Sequence, residues 1–288
     1  MNTIAFTILI LSSLGVSLAV ILYFVALKFK VYEDPRIDHV CEALPGANCG
    51  GCGFAGCRAF AESFVKSADV SALYCPVGGS ETMNKAAEIL GKTAAAREAT
   101  IAVLRCSGAC ELRPRTNSFD GAPSCAVMSA TYAGETGCGF GCLGKGDCAV
   151  SCTFGAIAMN PATGLPEINE ELCTACGACV KACPKAIIEL RKKGPKNRRI
   201  YVACANRDKG GIARKACSVA CTACTKCKKV CPFEEITIEN NLAYIDGSKC
   251  RLCRKCVPEC PTSAIAELNF PPKKITEKIV AGEQAQKN

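Results

Sequence analysis

The chain has 288 residues, of which 26 are cysteines, and a formal net charge of +9. At this cysteine content three uses are common, namely disulfides, zinc sites and iron-sulfur clusters. Tryptophan is absent and aromatic residues make up 6% of the chain, so the composition argues against one large core of bulky side chains. It favours several small domains, because bound metal supplies folding free energy where a small core cannot.

The first predicted element is an apolar segment from Ile4 to Leu27 that carries no charge. A helix rises ~1.5 Å per residue, so this segment can cross a ~30 Å hydrocarbon core. A secretory signal peptide is the alternative, but the segment is too long for one and no basic residue precedes it. Lys28 and Lys30 follow, which predicts a single-pass anchor in the inner or cytoplasmic membrane with the remaining chain in the cytoplasm. Cytoplasmic thiols stay reduced, which argues against disulfides.

A glycine-rich loop with three crowded cysteines follows the anchor. Its thiols belong to Cys49, Cys52 and Cys57. Glycines between them permit the positive φ angles that a loop wrapped around a cluster requires. Apolar positions between Arg58 and Ala72 predict a short helix that packs over the site and returns Cys75, the fourth thiol. This loop is predicted to hold the cluster nearest the membrane.

Four cysteine runs follow beyond residue 135. An irregular run, C-x3-C-x5-C-x3-C, begins at Cys138, and the regular run C-x2-C-x2-C-x3-C-P begins at Cys173, Cys221 and Cys250. The regular spacing is typical of bacterial ferredoxins, in which three thiolates hold one 4Fe-4S cluster and the fourth reaches the other cluster of a pair. Zinc ribbons separate their C-x2-C pairs by longer loops. The four runs therefore predict two double-cluster ferredoxin domains.

The crossed ligand pattern of ferredoxins predicts four ligand sets. The first pair of clusters would be bound by Cys138, Cys142, Cys148 and Cys183, and by Cys152, Cys173, Cys176 and Cys179. The second pair would be bound by Cys221, Cys224, Cys227 and Cys260, and by Cys231, Cys250, Cys253 and Cys256. With the N-terminal loop, the prediction is five 4Fe-4S clusters.

Six cysteines remain outside these sets, namely Cys41, Cys106, Cys110, Cys125, Cys204 and Cys217. One interpretation is a sixth cluster on Cys106, Cys110, Cys125 and either Cys204 or Cys217. The other is that these are buried, unligated thiols, since free cysteine often behaves as a small core residue. For Cys41, on a predicted short helix, the core interpretation is favoured.

A basic segment separates the two ferredoxin runs. Residues 191–215 contain ten Lys or Arg and one acidic residue, Asp208. A solvated linker is one interpretation, and a surface that steers an acidic ferredoxin is the other. Five clusters would add about −10 and bring the whole chain near neutrality. Nucleic acid is disfavoured because few aromatic residues are interleaved for stacking. No nucleotide or flavin site is expected, since the G-x-G-x-x-G match at residues 139–144 lies among cysteines of the first run and follows no predicted strand.

The motifs LPGANCGGCGFAGC and CTACGACVKACPKAI, with the anchor and Cys75-Pro76, resemble the B subunit of the Rnf complexes. These are membrane-bound ferredoxin:NAD oxidoreductases that couple electron flow to sodium or proton translocation. The resemblance extends over essentially the whole chain and implies a proximal cluster on the four N-terminal cysteines. The second ferredoxin-like region, after residue 217, departs from simpler members, so the chain resembles a long variant.

This resemblance implies a membrane-anchored electron-transfer subunit that accepts electrons from reduced ferredoxin and relays them to membrane subunits. The implied partners are soluble ferredoxin, the other membrane and peripheral Rnf subunits, and lipid around residues 4–27. No covalent catalysis is expected on this chain alone. The alternatives are an electron-transfer subunit of another membrane oxidoreductase, such as a hydrogenase, and a redox-sensing iron-sulfur protein.

The expected fold class is α+β, with seven successive regions. They are an anchor (1–29), a small helical 4Fe-4S domain (30–95), a connecting region (96–135), a first ferredoxin domain (136–190), a basic linker (191–216), a second ferredoxin domain (217–270) and a tail (271–288).

Overall fold

The computed structural model describes residues 3–29, 34–95 and 97–271. Lys30, and the predicted tail beyond residue 271, lie outside the described residues. Helices and short strands alternate along the described chain, which confirms the predicted α+β class.

The N-terminal helix α1 (Thr3–Lys28) covers the predicted anchor. Its side chains from Phe6 onward are exposed, and Phe6–Lys28 is long and apolar enough to cross a membrane by length and composition. An apolar helix without a protein partner is suited to a lipid environment.

Three helices form a small domain behind the anchor: α2 (Arg36–Ala43), α3 (Cys57–Lys66) and α4 (Gly79–Ile89). Helix α3 lies where the sequence predicted a short helix. The rings of Phe60 and Phe64 stack with their centroids 5.6 Å apart, and both side chains are fully buried in the core of the domain. Cys41 lies on α2 and packs against the same core, in line with the interpretation favoured for it.

The next domain extends from residue 100 to residue 192. Its elements are β1 (Thr100–Leu104), α5 (Cys125–Thr131), α6 (Asp147–Val150), β2 (Ile157–Asn160), β3 (Leu165–Ile168), α7 (Ala178–Ala182) and β4 (Ile188–Lys192). The first and last strands pair antiparallel, with Ala102 opposite Leu190, and β2 and β3 form a hairpin.

The last domain repeats this plan. A 3-10 turn (Pro195–Asn197) leads into β5 (Arg199–Val202), α8 (Gly210–Ala216), α9 (Lys226–Lys229), β6 (Ile236–Glu239), β7 (Leu242–Ile245) and β8 (Ile265–Leu268). Strand β5 pairs antiparallel with β8, and β6 with β7.

Two of the predicted boundaries differ from the structure. The segment predicted as a basic linker contains β5 and α8, and all four residues of β5 are buried. The segment predicted as a connecting region contains β1 and α5. Each ferredoxin domain therefore begins with a strand that lies before its first cysteine run and closes the sheet against the last strand.

The two ferredoxin domains pack against each other through their first strands. Ile101 and Val103 of β1 share a buried cluster with Tyr201 of β5 and with Ala203, the residue after that strand. The guanidinium of Arg191 lies over the rings of Tyr201 and Tyr244, 5.5 and 5.1 Å from their centroids. The cysteine sites of both domains are thus held on one continuous scaffold.

Candidate metal centres

The three regular cysteine runs share one backbone conformation. In each run the residue before the second cysteine is left-handed, and so is the second residue after the Cys-Pro pair. The first group is Ala175, Ala223 and Leu252 (φ 56°, 53° and 56°), and the second is Ala186, Glu234 and Ser263 (φ 50°, 55° and 52°). This conformation costs a non-glycine residue about 1–2 kcal/mol, and such strain concentrates at functional sites. The repetition indicates three loops wrapped in the same way.

One cavity of the last domain is lined by four cysteines. Its thiols are Cys231, Cys250, Cys253 and Cys256. Apolar side chains, including Ile236 and Ile245, complete the walls. Burial, with smaller contributions from nearby thiols, raises the pKa of the Cys256 thiol to about 12. The structure brings together the four residues that the crossed pattern grouped.

The other predicted set of this domain also converges. Burial, together with the neighbouring thiols of Cys221, Cys224 and Cys260, raises the pKa of the Cys227 thiol to about 11. The Ala264 amide donates to Cys260 Sγ at 3.2 Å. Hydrogen bonds of this kind tune the sulfurs that bind a cluster.

The first ferredoxin domain brings its second predicted set together around Cys179. Burial and, to a smaller extent, the thiols of Cys173, Cys176, Cys148 and Cys152 together raise the pKa of this thiol to about 12. Of these, Cys148 belongs to the other predicted set of the same domain. The two sites of the pair are therefore neighbours.

The remaining site of this domain differs from the prediction in one residue. A cavity is lined by Cys125, Cys142, Cys148 and Cys183, whereas the irregular run predicted Cys138 in the place of Cys125. Asp147 explains the difference, because its carboxylate accepts the amides of Cys125 and Ala126 at 2.8 and 2.9 Å. Cys125 is thereby held beside Cys148, the next residue after Asp147.

Spacing alone did not reveal Cys125. Cys125 precedes the run in sequence and is held beside it by the carboxylate of Asp147. The local signal for this residue is the pair Ser124-Cys125 at the start of helix α5. Ser124 Oγ donates to the same carboxylate at 2.9 Å.

The N-terminal loop gathers its thiols at the start of α3. Burial raises the pKa of the Cys75 thiol, and the thiols of Cys52 and Cys49 raise it further. The amide of Cys57 donates to Asn48 Oδ1 at 2.8 Å, which fixes Cys57 beside the residue that precedes Cys49. The Gly78 amide donates to Cys75 Sγ at 3.4 Å.

The N-terminal loop also touches the first ferredoxin domain. A Cβ atom on Gly51 would lie 2.8 Å from the carbonyl oxygen of Cys176 and 3.1 Å from its Cα. Only glycine permits this approach of two backbones, and both belong to cysteine-rich loops. The N-terminal site and the Cys152 site are therefore adjacent.

The residues predicted for a sixth cluster do not converge as a group. Cys125 lines the cavity described above, and Cys110 is exposed. Cys106, Cys204 and Cys217 lie elsewhere, near Cys138.

The donor set fits clusters better than a single ion. Among the described residues, no three His, Cys, Asp or Glu side chains are close enough to hold one metal ion. A tetrahedral zinc site, with Zn–S of ~2.3 Å, needs such a group, whereas a four-iron cube separates its four sulfur ligands more widely. Crowded, buried thiols become thiolates only beside a strong positive charge, which bound iron supplies.

Family models match three parts of the chain. A model for an Fe-S cluster domain matches residues 44–72. A 4Fe-4S binding domain model matches residues 166–189 and 243–266, one in each ferredoxin domain.

Curated relatives match nearly the whole chain. The B subunit of the Na⁺-translocating ferredoxin:NAD⁺ oxidoreductase complex of Acetobacterium woodii is 45% identical over 92% of this chain and 78% of its own length. The B subunit of the proton-translocating complex of Clostridium ljungdahlii is 39% identical over 92% and 93%, respectively. The chain belongs to the family of Rnf B subunits. A third member, the B subunit of the ion-translocating oxidoreductase complex of Methanosarcina acetivorans, is 39% identical over 90% of this chain and 96% of its own length.

Membership of the Rnf B-subunit family confirms the resemblance predicted from the motifs. It also confirms an electron-transfer subunit of a translocating oxidoreductase complex that carries 4Fe-4S domains. Together with the apolar helix α1, it indicates membrane association.

Proposed function

We propose that this chain takes electrons from reduced ferredoxin and relays them towards membrane subunits of an Rnf complex. The observation that carries the proposal is the adjacency of the cysteine sites. Cys227 and Cys256 are neighbours across the last domain, Cys148 and Cys179 across the first, and Gly51 lies against Cys176. Clusters bound at adjacent sites would pass electrons directly from one to the next, without a mobile carrier.

Five ligand sets follow from these contacts. They are Cys49, Cys52, Cys57 and Cys75; Cys125, Cys142, Cys148 and Cys183; Cys152, Cys173, Cys176 and Cys179; Cys221, Cys224, Cys227 and Cys260; and Cys231, Cys250, Cys253 and Cys256. A 4Fe-4S cluster bound at each would supply one-electron redox chemistry at low potential. The protein residues hold the thiolates, donate hydrogen bonds to sulfur and exclude water.

The orientation of the body is proposed from α1. Lys28 lies in its last turn, and basic residues at one end of a membrane helix favour the cytoplasmic side. The cysteine domains would then face the cytoplasm, where soluble ferredoxin is found, and the N-terminal site would lie nearest the membrane partners.

The last domain offers the surface for ferredoxin. Cys224 and Cys253 are exposed, so both of its sites reach the surface. Helix α9, next to Cys224, presents exposed Lys226, Lys228 and Lys229. The sequence predicted this role for the basic segment 191–215. Two of its charges cannot contact a partner, because Arg191 and Arg199 are buried. An acidic partner would be steered to α9, next to an exposed cysteine.

Neutralising α9 tests this proposal. In the triple variant Lys226→Gln/Lys228→Gln/Lys229→Gln, we expect reduced ferredoxin to reduce the protein about ten-fold more slowly at low salt, because electrostatic steering raises association rates by ~10–10³. The difference should shrink as salt screens the charges. Anaerobic stopped-flow bleaching of the cluster absorbance measures the rate.

The control is Lys66→Gln/Lys85→Gln, which removes two exposed charges from the N-terminal domain. Its rate should equal that of the unmodified protein. Equal rates for the α9 variant and the unmodified protein at every salt concentration would place ferredoxin elsewhere. Failure of ferredoxin to reduce the unmodified protein would instead favour a redox sensor.

A further inference from the structure

A basic cavity lies where the first ferredoxin domain leads into the second. Its walls come from the end of β4, the turn that follows, the start of β5, and the loop 247–252 after β7. Its volume of about 190 Å³ leaves room for more than a single water. The charged residues that line it are Arg191, Lys192, Lys193, Arg198, Arg199 and Glu98.

The guanidinium groups around this cavity are short of hydrogen-bond acceptors. Among the described residues, seven buried side-chain nitrogen or oxygen atoms have no hydrogen-bond partner, and five of them belong to Arg191, Arg198 and Arg199. They are Nη1 and Nη2 of Arg191, Nε of Arg198, and Nε and Nη1 of Arg199. Buried donors are nearly always satisfied in folded proteins, so this concentration indicates an acceptor that binds between the three side chains.

Arg191 indicates what kind of acceptor fits. Its side chain is buried, and its Nε pairs with Glu189. The rings of Tyr201 and Tyr244 lie over the guanidinium, so the donors left for a ligand are Nη1 and Nη2 at its edge. A Cβ atom on Gly247 would lie 3.2 Å from Nη1, so the missing side chain keeps that nitrogen accessible. Two donors on one guanidinium match two oxygens of a phosphate.

The balance of charge favours an anion over water. Three of the cations have one acidic partner each, in the pairs Arg191–Glu189, Arg199–Glu170 and Lys192–Glu98. Arg198 lies over the ring of Phe270 instead, 5.5 Å from its centroid, and Lys193 donates to the Glu170 carbonyl at 3.3 Å. The nearby Asp246 is paired with Lys249. Five positive charges at the cavity therefore face three negative ones. Water would satisfy the donors, whereas an oxyanion would satisfy them and also balance the charge.

We propose that this cavity binds a phosphate group, either the free ion or the phosphate of a small metabolite. Arg191 would bind two of its oxygens through Nη1 and Nη2, and Arg198 and Arg199 would supply the other donors. These residues lie outside the five cysteine sets, so the site is separate from the candidate metal centres.

The cavity adjoins one of the candidate cluster sites. Cys250 lines the cavity and also belongs to the set with Cys231, Cys253 and Cys256. Burial raises the pKa of the Cys250 thiol, and the positive charge of Arg191 acts in the opposite direction. A bound anion would offset that positive charge and make the neighbouring cluster harder to reduce. This consequence rests on the proposed electron relay, whereas the phosphate site does not.

Equilibrium dialysis with radiolabelled inorganic phosphate tests the site on the intact chain, purified without oxygen in a chloride buffer. We expect saturable binding of one phosphate per chain. Arg198→Gln should weaken it about ten-fold or more, because the variant removes a charged donor. Arg214→Gln is the matched control, since it removes an exposed arginine of the same basic segment outside the cavity. It should bind phosphate as the unmodified chain does.

Arg191→Lys distinguishes a built site from general attraction to positive charge. Lysine keeps the charge but lacks the fixed pair of donors, so we expect binding to weaken at least ten-fold. Binding equal to that of the unmodified chain in both arginine variants would overturn the site. Absence of saturable binding up to about 1 mM phosphate would also overturn it. If Arg191→Lys fails to fold, Arg198→Gln decides alone, because Arg198 is only half-buried.

Competition with AMP identifies the source of the phosphate group. Displacement of the label by AMP at lower concentrations than by unlabelled phosphate would assign the site to a phosphate ester. The reverse order would assign it to the free ion.

A redox titration followed by EPR tests the consequence for the neighbouring cluster. Phosphate should lower the midpoint potential of one cluster in the unmodified chain, and do so less in Arg198→Gln. A ten-fold preference of phosphate for the oxidised chain corresponds to about 59 mV. Unchanged potentials with phosphate bound would overturn this coupling. A chain that binds phosphate but holds no reducible cluster would instead refute the proposed relay and leave the phosphate site standing.

Discussion

Replacing Gly51 with alanine should detach the N-terminal domain from the first ferredoxin domain. The new Cβ would meet the backbone of Cys176 at 2.8 Å, and a backbone cannot move aside as a flexible side chain can. Overpacking of this kind costs about 1–3 kcal/mol, which corresponds to a roughly 5- to 150-fold loss of the docked state. The rate of electron transfer between the Cys152 site and the N-terminal site should fall by the same factor.

Hydrogen exchange of the intact chain measures this docking. Amides of residues 173–181 and 72–76 should exchange faster in Gly51→Ala, while those of β6 and β7 stay unchanged. Gly139→Ala is the matched control, since Gly139 also adjoins a cysteine but a Cβ atom added there would have no heavy atom within 4 Å. Unchanged exchange in the Gly51 variant would show that the contact does not hold the domains together.

Phe64→Ala should give the largest loss of stability in the N-terminal domain. The ring is fully buried and stacks on Phe60, and its truncation in a packed core costs about 3–5 kcal/mol. The described part of that domain consists of three short helices, so few other packing contacts remain to stabilise it. Protection of α2 and α3 against hydrogen exchange should fall by about 10² to 10³-fold or more.

Val65→Ala on the same helix is the comparison, because its side chain is only half-buried. It should change protection much less. If the two variants lost equal protection, the Phe60 and Phe64 stack would not be what stabilises the domain.

The sequence predicted those features that repeat locally. Regular cysteine spacing indicated the ferredoxin loops, and three of the four crossed sets converge in the structure. The apolar run indicated α1, and the pattern after Arg58 indicated α3. In each case the signal lies within one short segment.

The features that escaped prediction depend on contacts distant in sequence. Strands β1 and β5 are short, and each pairs with a strand at the far end of its domain. Strand β5 was hidden among basic residues because Arg199 at its start is buried and paired with Glu170. The place of Cys125 in its site depends on Asp147, which no cysteine spacing reveals.

The most direct test of the central claim is iron and acid-labile sulfide per chain, measured with zinc on protein purified without oxygen and accompanied by EPR spectra after reduction. We predict at least about 20 irons with equal sulfide, and signals of reduced 4Fe-4S clusters. Zinc in place of iron, or iron without sulfide, would contradict a relay of iron-sulfur clusters.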